Sequence, residues 1–276
     1  MADPKKRKKN HKMTLGLALL GSCVLLAVLV PLVSPWDPTE MNAALGSQGV
    51  SLAHPFGTDK MGRDLFVRVW SGAGISLCVG LLSALLNGAF GVLYGAVSGY
   101  AGKTADLILM RAADVIASVP SLLYVILLMM AMGANVGSIL LGLCISGWID
   151  TARLVRGEVM RMKQKEFILV SKMAGAGVLR IFWTHFLPNA AGPIVISLTA
   201  LVPQAIFTEA FLSFLGVGIP APAASLGTLI EASRSQMRVY PNQMLFPTAV
   251  LCILIFSLNL IGAGLETEFH RRQNGE

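Results

Sequence analysis

The 276-residue chain is 54% hydrophobic and only 13% charged, with a mean hydropathy of +0.67. Soluble domains carry about 25% charged residues, so a water-soluble globular enzyme is excluded. The net charge of +7 needs no nucleic acid, because Lys and Arg gather beside apolar runs, where they set membrane topology.

Residues 1–13 form a basic tail that includes Lys5, Lys6, Arg7, Lys8 and Lys9. That run resembles a nuclear address, but directly before an apolar segment it reads as a topology determinant. Leu15–Val33 is uncharged and predicts a first span near 14–34, since a bilayer core of about 30 Å takes roughly 20 helical residues. The run is long for a signal peptide, and Pro31-Leu32-Val33-Ser34-Pro35 holds no small-x-small cleavage site. An uncleaved anchor is expected. Residues 35–72 form a polar extracytoplasmic segment in which Lys60, Arg63 and Arg68 are offset by Asp37, Glu40, Asp59 and Asp64. Within it, His54-Pro55-Phe56-Gly57-Thr58-Asp59 and Gly62-Arg63-Asp64 read as a structured loop, with local pairs such as Arg63 with Asp59.

A second span is predicted near 74–99. Gly91, Gly95 and Gly99 fall on one of its faces, and Gly80 and Gly88 extend that surface. Glycines at this spacing let another helix approach closely in lipid; the neighbour could belong to this chain or to another subunit. The third span, near 105–132, begins within the charged stretch Asp106–Asp114. The uncharged run Val115–Ile149 is too long for one helix and breaks at Gly133-Ala134-Asn135, which puts a fourth span near 136–156. The fifth and sixth lie near 191–215 and 243–264. The fold class is therefore an all-α polytopic membrane protein with six transmembrane helices. Its main transmembrane domain covers 73–265 and a tail covers 266–276.

The loop 153–189 carries Arg153, Arg156, Arg161, Lys163, Lys165, Lys172 and Arg180 against Glu158 and Glu166. Basic loops beside spans stay in the cytoplasm, as does the tail with Arg271 and Arg272, so both termini are expected there too. Phe167, Val170, Met173 and Ala174 recur on one face of a short helix. A Gly175-Ala176-Gly177 turn follows, then a second short helix that ends before Leu187-Pro188-Asn189. A helix with one apolar and one basic face is built to dock on something.

No catalytic constellation is present. Cys23, Cys78, Cys144 and Cys252 lie within predicted spans without paired spacing, and His11, His54, His185 and His270 are scattered. Gly102-Lys103-Thr104 looks like the end of a phosphate-binding loop, but Val97 stands where that motif needs a glycine and a membrane helix precedes it. Neither a cofactor nor a metal is expected. Two acids lie within spans, where charge is costly. Asp150 is three residues from Arg153 and reads as an intrahelical pair. Glu209 is either an interfacial carboxylate, capped by Thr208 or a partner subunit, or a polar group on a transport pathway.

Several of these stretches together resemble the inner-membrane permeases of bacterial dipeptide/oligopeptide ABC importers, the C-type partner of a heterodimeric pair. They are His54 to Asp59, Gly62-Arg63-Asp64, Ser76-Leu77, the glycine ladder to Gly99-Tyr100, and Met110-Arg111-x-x-Asp114. Pro120, Trp148, Ala152-Arg153-x-x-Arg156-Gly157, Phe211 to Gly216 and Ser225-x-Gly227 continue the likeness over nearly the whole chain. The resemblance implies a type I importer permease fold. It makes His54, Gly57, Asp59, Gly62, Arg63 and Asp64 an extracytoplasmic motif. It also makes 165–177 the helix that couples to a cytoplasmic ATPase, with Lys165, Glu166, Leu169, Val170, Ser171, Gly175 and Ala176 as coupling residues. Leu169-Val170-Ser171 replaces the family's Glu-Ala-Ala triplet, so the docking surface should be more apolar than usual. The implied partners are a second homologous permease subunit, two ATPase subunits that bind the ATP, and an extracytoplasmic substrate-binding protein. The implied cargo is oligopeptides or dipeptides. Permeases for nickel or glutathione share these motifs. A secondary transporter working without ATPases would need titratable groups near the midplane, which the central parts of these spans lack.

Overall fold

A computed structural model of the chain describes residues 10–273; the basic run Lys5–Lys9 lies outside the described residues. Helix α1 (His11–Val33) starts at Asn10, whose side chain accepts from the Met13 amide at 3.4 Å and donates to the Gly264 carbonyl at 2.6 Å. Most of its large apolar residues, among them Leu15, Leu25 and Val28, are exposed. In lipid that is a favourable surface rather than a liability. After the connecting segment 34–64 comes α2 (Leu65–Ala101), whose 37 residues extend about 55 Å at 1.5 Å per residue, well beyond the bilayer core.

The next apolar stretch departs from the expected single third span. It folds as α3 (Lys103–Ala117) and α4 (Ser121–Met132), bent by 72° at residues 118–120. Pro120 disfavours helical backbone at Val119, because its ring clashes with the preceding residue. The expected break at 133–135 is present. Gly133 has φ +85°, and Asn135 caps α5 (Val136–Ser146) by accepting from the Ser138 amide at 2.9 Å. A slight break at Gly147-Trp148 separates α5 from α6 (Ile149–Lys163), and the two together make one span.

Helix α7 (Glu166–Met173) is short, and α8 (Val178–Ile181) leads through a wide i→i+5 turn at Phe182–Phe186 into α9 (Leu187–Phe214). The expected stop before Leu187-Pro188-Asn189 is therefore corrected: the helix runs on. Pro188 has no N–H to give and its ring crowds the carbonyl four residues back. The widened turn just before it absorbs that misfit. The chain ends with α10 (Leu226–Ser233) and α11 (Asn242–Gln273). Five apolar helical stretches are long enough to cross a membrane, and the bent pair α3–α4 makes a sixth. Among the described residues the only β feature is an isolated bridge between Thr58 and Asp64.

Helix α2 is the centre of the bundle. A Cβ on Gly91 or Gly99 would lie 2.7 Å from the Trp148 carbonyl oxygen or 2.9 Å from that of Arg156, and at Gly95 the Ala152 carbonyl is closer still. The ladder thus packs on α6 of the same chain. Gly80 and Gly88 turn to α9 instead, against Ile206 and Leu198. A buried cluster of Leu65, Val69, Trp70, Ile206, Leu226 and Leu254 ties α2 to α9, α10 and α11 at one end. Val155, Val159, Ile168, Ile181 and Phe186 form the core at the other.

Candidate functional site

Three regions carry the candidate residues. At the end of the bundle where α2 begins, residues 42–64 form a fixed structure. His54 Nδ1 lies 2.7 Å from Asp64 Oδ2, both buried, while Asp64 Oδ1 caps α2 by accepting from the Val67 amide at 2.9 Å. The Trp36 ring covers His54 with centroids 4.8 Å apart. Asp59 accepts from Arg63 Nε at 2.7 Å and from the Met61 and Arg63 amides, so the expected Arg63–Asp59 pair is present. Gly57 and Gly62 adopt φ +78° and +76°, a conformation only glycine enters freely. A Cβ on Gly57 would also meet the Gln48 carbonyl at 2.5 Å.

The segment is bolted to the start of α11. Asn242 Nδ2 donates to the Phe56 carbonyl at 3.0 Å, Gln243 Nε2 donates to that of Thr58 at 2.9 Å, and the Phe56 and Phe246 rings stack at 4.0 Å. Neither Asn242 nor Gln243 stands out in the sequence, since a single polar residue at a helix start has no distinctive pattern.

At the opposite end of α2 lie α7 and the turn after it. Ile168 is fully buried and anchors α7 on the inner core, while Phe167, Leu169, Val170 and Met173 remain 44%, 49%, 64% and 89% exposed. Val170 and Met173 of the expected apolar face therefore point outward, while the Phe167 ring lies 5.6 Å from that of His185. Lys165 precedes the helix and Glu166 sits in its first turn, where an acid suits the helix dipole. Ser171 Oγ donates to the Phe167 carbonyl at 2.8 Å and lies 3.1 Å from His185 Nε2, which ties α7 to the turn preceding α9. Gly175, at φ +79°, ends the helix, and the Ala176 amide closes back on the Ser171 carbonyl at 3.0 Å. Behind α7, Lys163 Nζ donates to the Tyr100 carbonyl at 2.8 Å, and Lys163 and Lys172 both lie 5.2 Å from the centre of the Tyr100 ring.

Between these ends, a cavity of about 340 Å³ opens where α2, α9, the α3–α4 bend and the α5–α6 break meet. Ser83, Asn87, Ser121, Ser146, Gln204 and Thr208 give it a polar wall. Glu209 does not face it. That carboxylate is fully buried and accepts from Ser76 Oγ at 3.0 Å and Ser213 Oγ at 2.8 Å; Thr208 Oγ1 bonds instead to the Gln204 carbonyl. Glu209 thus joins α2 to the end of α9 inside the protein.

Asp150 and Arg153 line the rim of the cavity. The expected pair between them is present at 3.3 Å, but Arg153 makes its shorter bond, 2.9 Å, to Asp114 on α3. One turn further along α6, Arg156 grips Asp106 with two nitrogens, and Ser98 Oγ adds a third bond to that carboxylate at 2.6 Å. The charged stretch Asp106–Asp114 was the visible trace of these two contacts, though it does not say which arginine meets which acid.

A family model described as "Binding-protein-dependent transport system inner membrane component" matches residues 91–274. The oligopeptide transport system permease protein OppC of Bacillus subtilis is 42% identical over 95% of this chain and 87% of its own length. The dipeptide transport system permease protein DppC of the same organism is 41% identical, over 94% and 81%. The OppC protein of Escherichia coli is 38% identical over 93% and 85%. Among solved structures, the inward-facing MetNI methionine ABC transporter aligns with a TM-score of 0.59 at 17% identity, covering 71% of this chain and 93% of that one.

Proposed function

Because the chain belongs to the family of inner membrane components of binding-protein-dependent transport systems, we propose that it is the permease subunit of an ATP-driven importer of short peptides. Its fold is that of a type I ABC importer permease. The peptide cargo comes from the relatives, whose names assign them oligopeptide and dipeptide transport. In this reading α7 and both termini face the cytoplasm, and the basic residues of 153–180 hold them there. The segments 35–64 and 216–242 face outward, where a binding protein would deliver the peptide. A second permease subunit would complete the pathway, and two ATPases would supply the energy.

The observation that carries the reading is the exposed apolar face of α7. Phe167, Val170 and Met173 project from a helix whose other side is anchored through buried Ile168. An apolar face of this kind outside the bilayer calls for a protein partner. Leu169, in place of the family's acid, adds to that apolar surface.

The geometry also offers a route for force. α7 follows α6 after only Gln164 and Lys165, so a push on α7 moves α6. The glycine ladder and the Arg156–Asp106 bond make α6 travel with α2 and α3. The α3–α4 bend and the α5–α6 break border the cavity, so they are placed to act as hinges between outward-open and inward-open states. ATP can shift that balance only through contacts that differ between the two states. The test is uptake of trialanine into proteoliposomes that contain this chain with its second permease, ATPases and binding protein. Uptake should need ATP on the α7 side; absence of any ATP-dependent uptake would refute the peptide reading.

A further inference from the structure

The cavity rim holds an imbalance of charge. Two carboxylates, Asp114 and Asp150, share the single guanidinium of Arg153. Arg153 is drawn towards Asp114 at 2.9 Å, and Asp150 keeps only one contact, at 3.3 Å, with its side chain 88% exposed. Among the described residues, Asp150 and Arg153 are the only charged groups that line the cavity. Asp150 also sits in the first turn of α6, where the helix dipole favours an anion. Asp114, Arg153 and Asp150 together carry one net negative charge, which attracts a cation brought to the cavity rim.

The rest of the wall is uncharged. Ser83, Asn87, Ser121, Ser146, Gln204 and Thr208 can each bond to amide groups without regard to side chain. What every linear peptide shares is a chain of amides and an α-ammonium at its start. The cavity therefore has one carboxylate with acceptor capacity left over from its single 3.3 Å contact with Arg153, and several neutral hydrogen-bonding groups, which match those two features.

We propose that Asp150 receives the α-ammonium of the peptide in transit, with the hydroxyl and amide wall holding the backbone behind it. The assignment rests on the peptide-import reading and adds the residue that orients the cargo. Arg153 keeps Asp150 in place without neutralising it, because its stronger bond lies on Asp114.

The test uses the complete transporter in proteoliposomes with two cargoes, trialanine and lactyl-alanyl-alanine, in which a hydroxyl replaces the ammonium. Each is presented at equal loading of the binding protein. A charge-assisted hydrogen bond implies that wild type favours trialanine by about ten- to a hundredfold. Asp150→Asn should collapse that ratio towards one, Asp150→Glu should preserve much of it, and Asp114→Asn, which frees Arg153 for Asp150, should lower it. An unchanged ratio in Asp150→Asn would overturn the proposal. So would equal loss of both cargoes together with loss of the second permease on purification, which would make Asp150 a subunit contact. If Asp150→Asn does not assemble, wild type alone decides, because equal uptake of the two cargoes removes any role for the ammonium. If wild type imports neither cargo, it is the peptide-import reading that fails.

Discussion

Replacing Gly91 with alanine tests whether α2 and α6 move as one body. The added carbon would lie 2.7 Å from the Trp148 carbonyl oxygen and 2.8 Å from Thr151 Cβ, whereas ordinary contact begins at 3.4 Å. The carbonyl belongs to backbone, so no rotamer change relieves the clash, and α6 must retreat by about 0.7 Å. Overpacking of this kind costs ~1–3 kcal/mol, against a gain of up to ~1 kcal/mol in helix propensity. The net loss of up to about 2 kcal/mol corresponds to a fall in Tm of up to roughly 8 °C for a chain of this size. Thermal unfolding of the purified chain, followed by tryptophan fluorescence, reads this directly, because Trp148 lies at the contact. Gly95→Ala, where the neighbouring carbonyl is closer, should be worse, and Gly21→Ala, which meets nothing within 4 Å, should cost nothing. Equal behaviour of Gly91→Ala and Gly21→Ala would refute the described packing.

Asp64→Ala should lower stability by about 2–4 kcal/mol, since it removes the α2 cap and leaves His54 buried without its partner; limited proteolysis within 42–62 would report the loosened segment. Glu209→Ala should destabilise the chain by ~1–3 kcal/mol by stranding the Ser76 and Ser213 hydroxyls. Glu209→Gln, which keeps an acceptor, should stay near wild type in the same thermal assay. Asp106→Asn and Arg156→Gln should each reduce stability, and the double variant should lose less than the two combined, because both remove one bidentate contact.

The membrane class, the number of spans and the exposed apolar face of α7 were legible because each has its own sequence period: long uncharged runs, and apolar residues recurring along a short helix. The bend at 118–120 was less visible, since hydropathy continues unbroken from Val115 through Met132 and only Pro120 marks the change of direction. The continuation of α9 through Pro188 was hidden for the opposite reason. Proline normally ends a helix, and the widened turn that admits it has no sequence signature. Glycine spacing announced a close helix contact but not its partner, which only the packing of Gly91, Gly95 and Gly99 on α6 identifies. Glu209 was conspicuous as an acid in an apolar segment, yet its position away from the cavity depends on Ser213 one turn along and on Ser76, which is distant in sequence.

If energy enters this chain through α7, as proposed, Val170→Asp should cut the coupling. Val170 is 64% exposed, so the substitution should leave the thermal stability of the isolated chain unchanged. In proteoliposomes with all partners present, it should abolish ATP-dependent trialanine uptake and release the ATPases on purification. Uptake at the wild-type rate with the ATPases still bound would rule out α7 as the coupling helix.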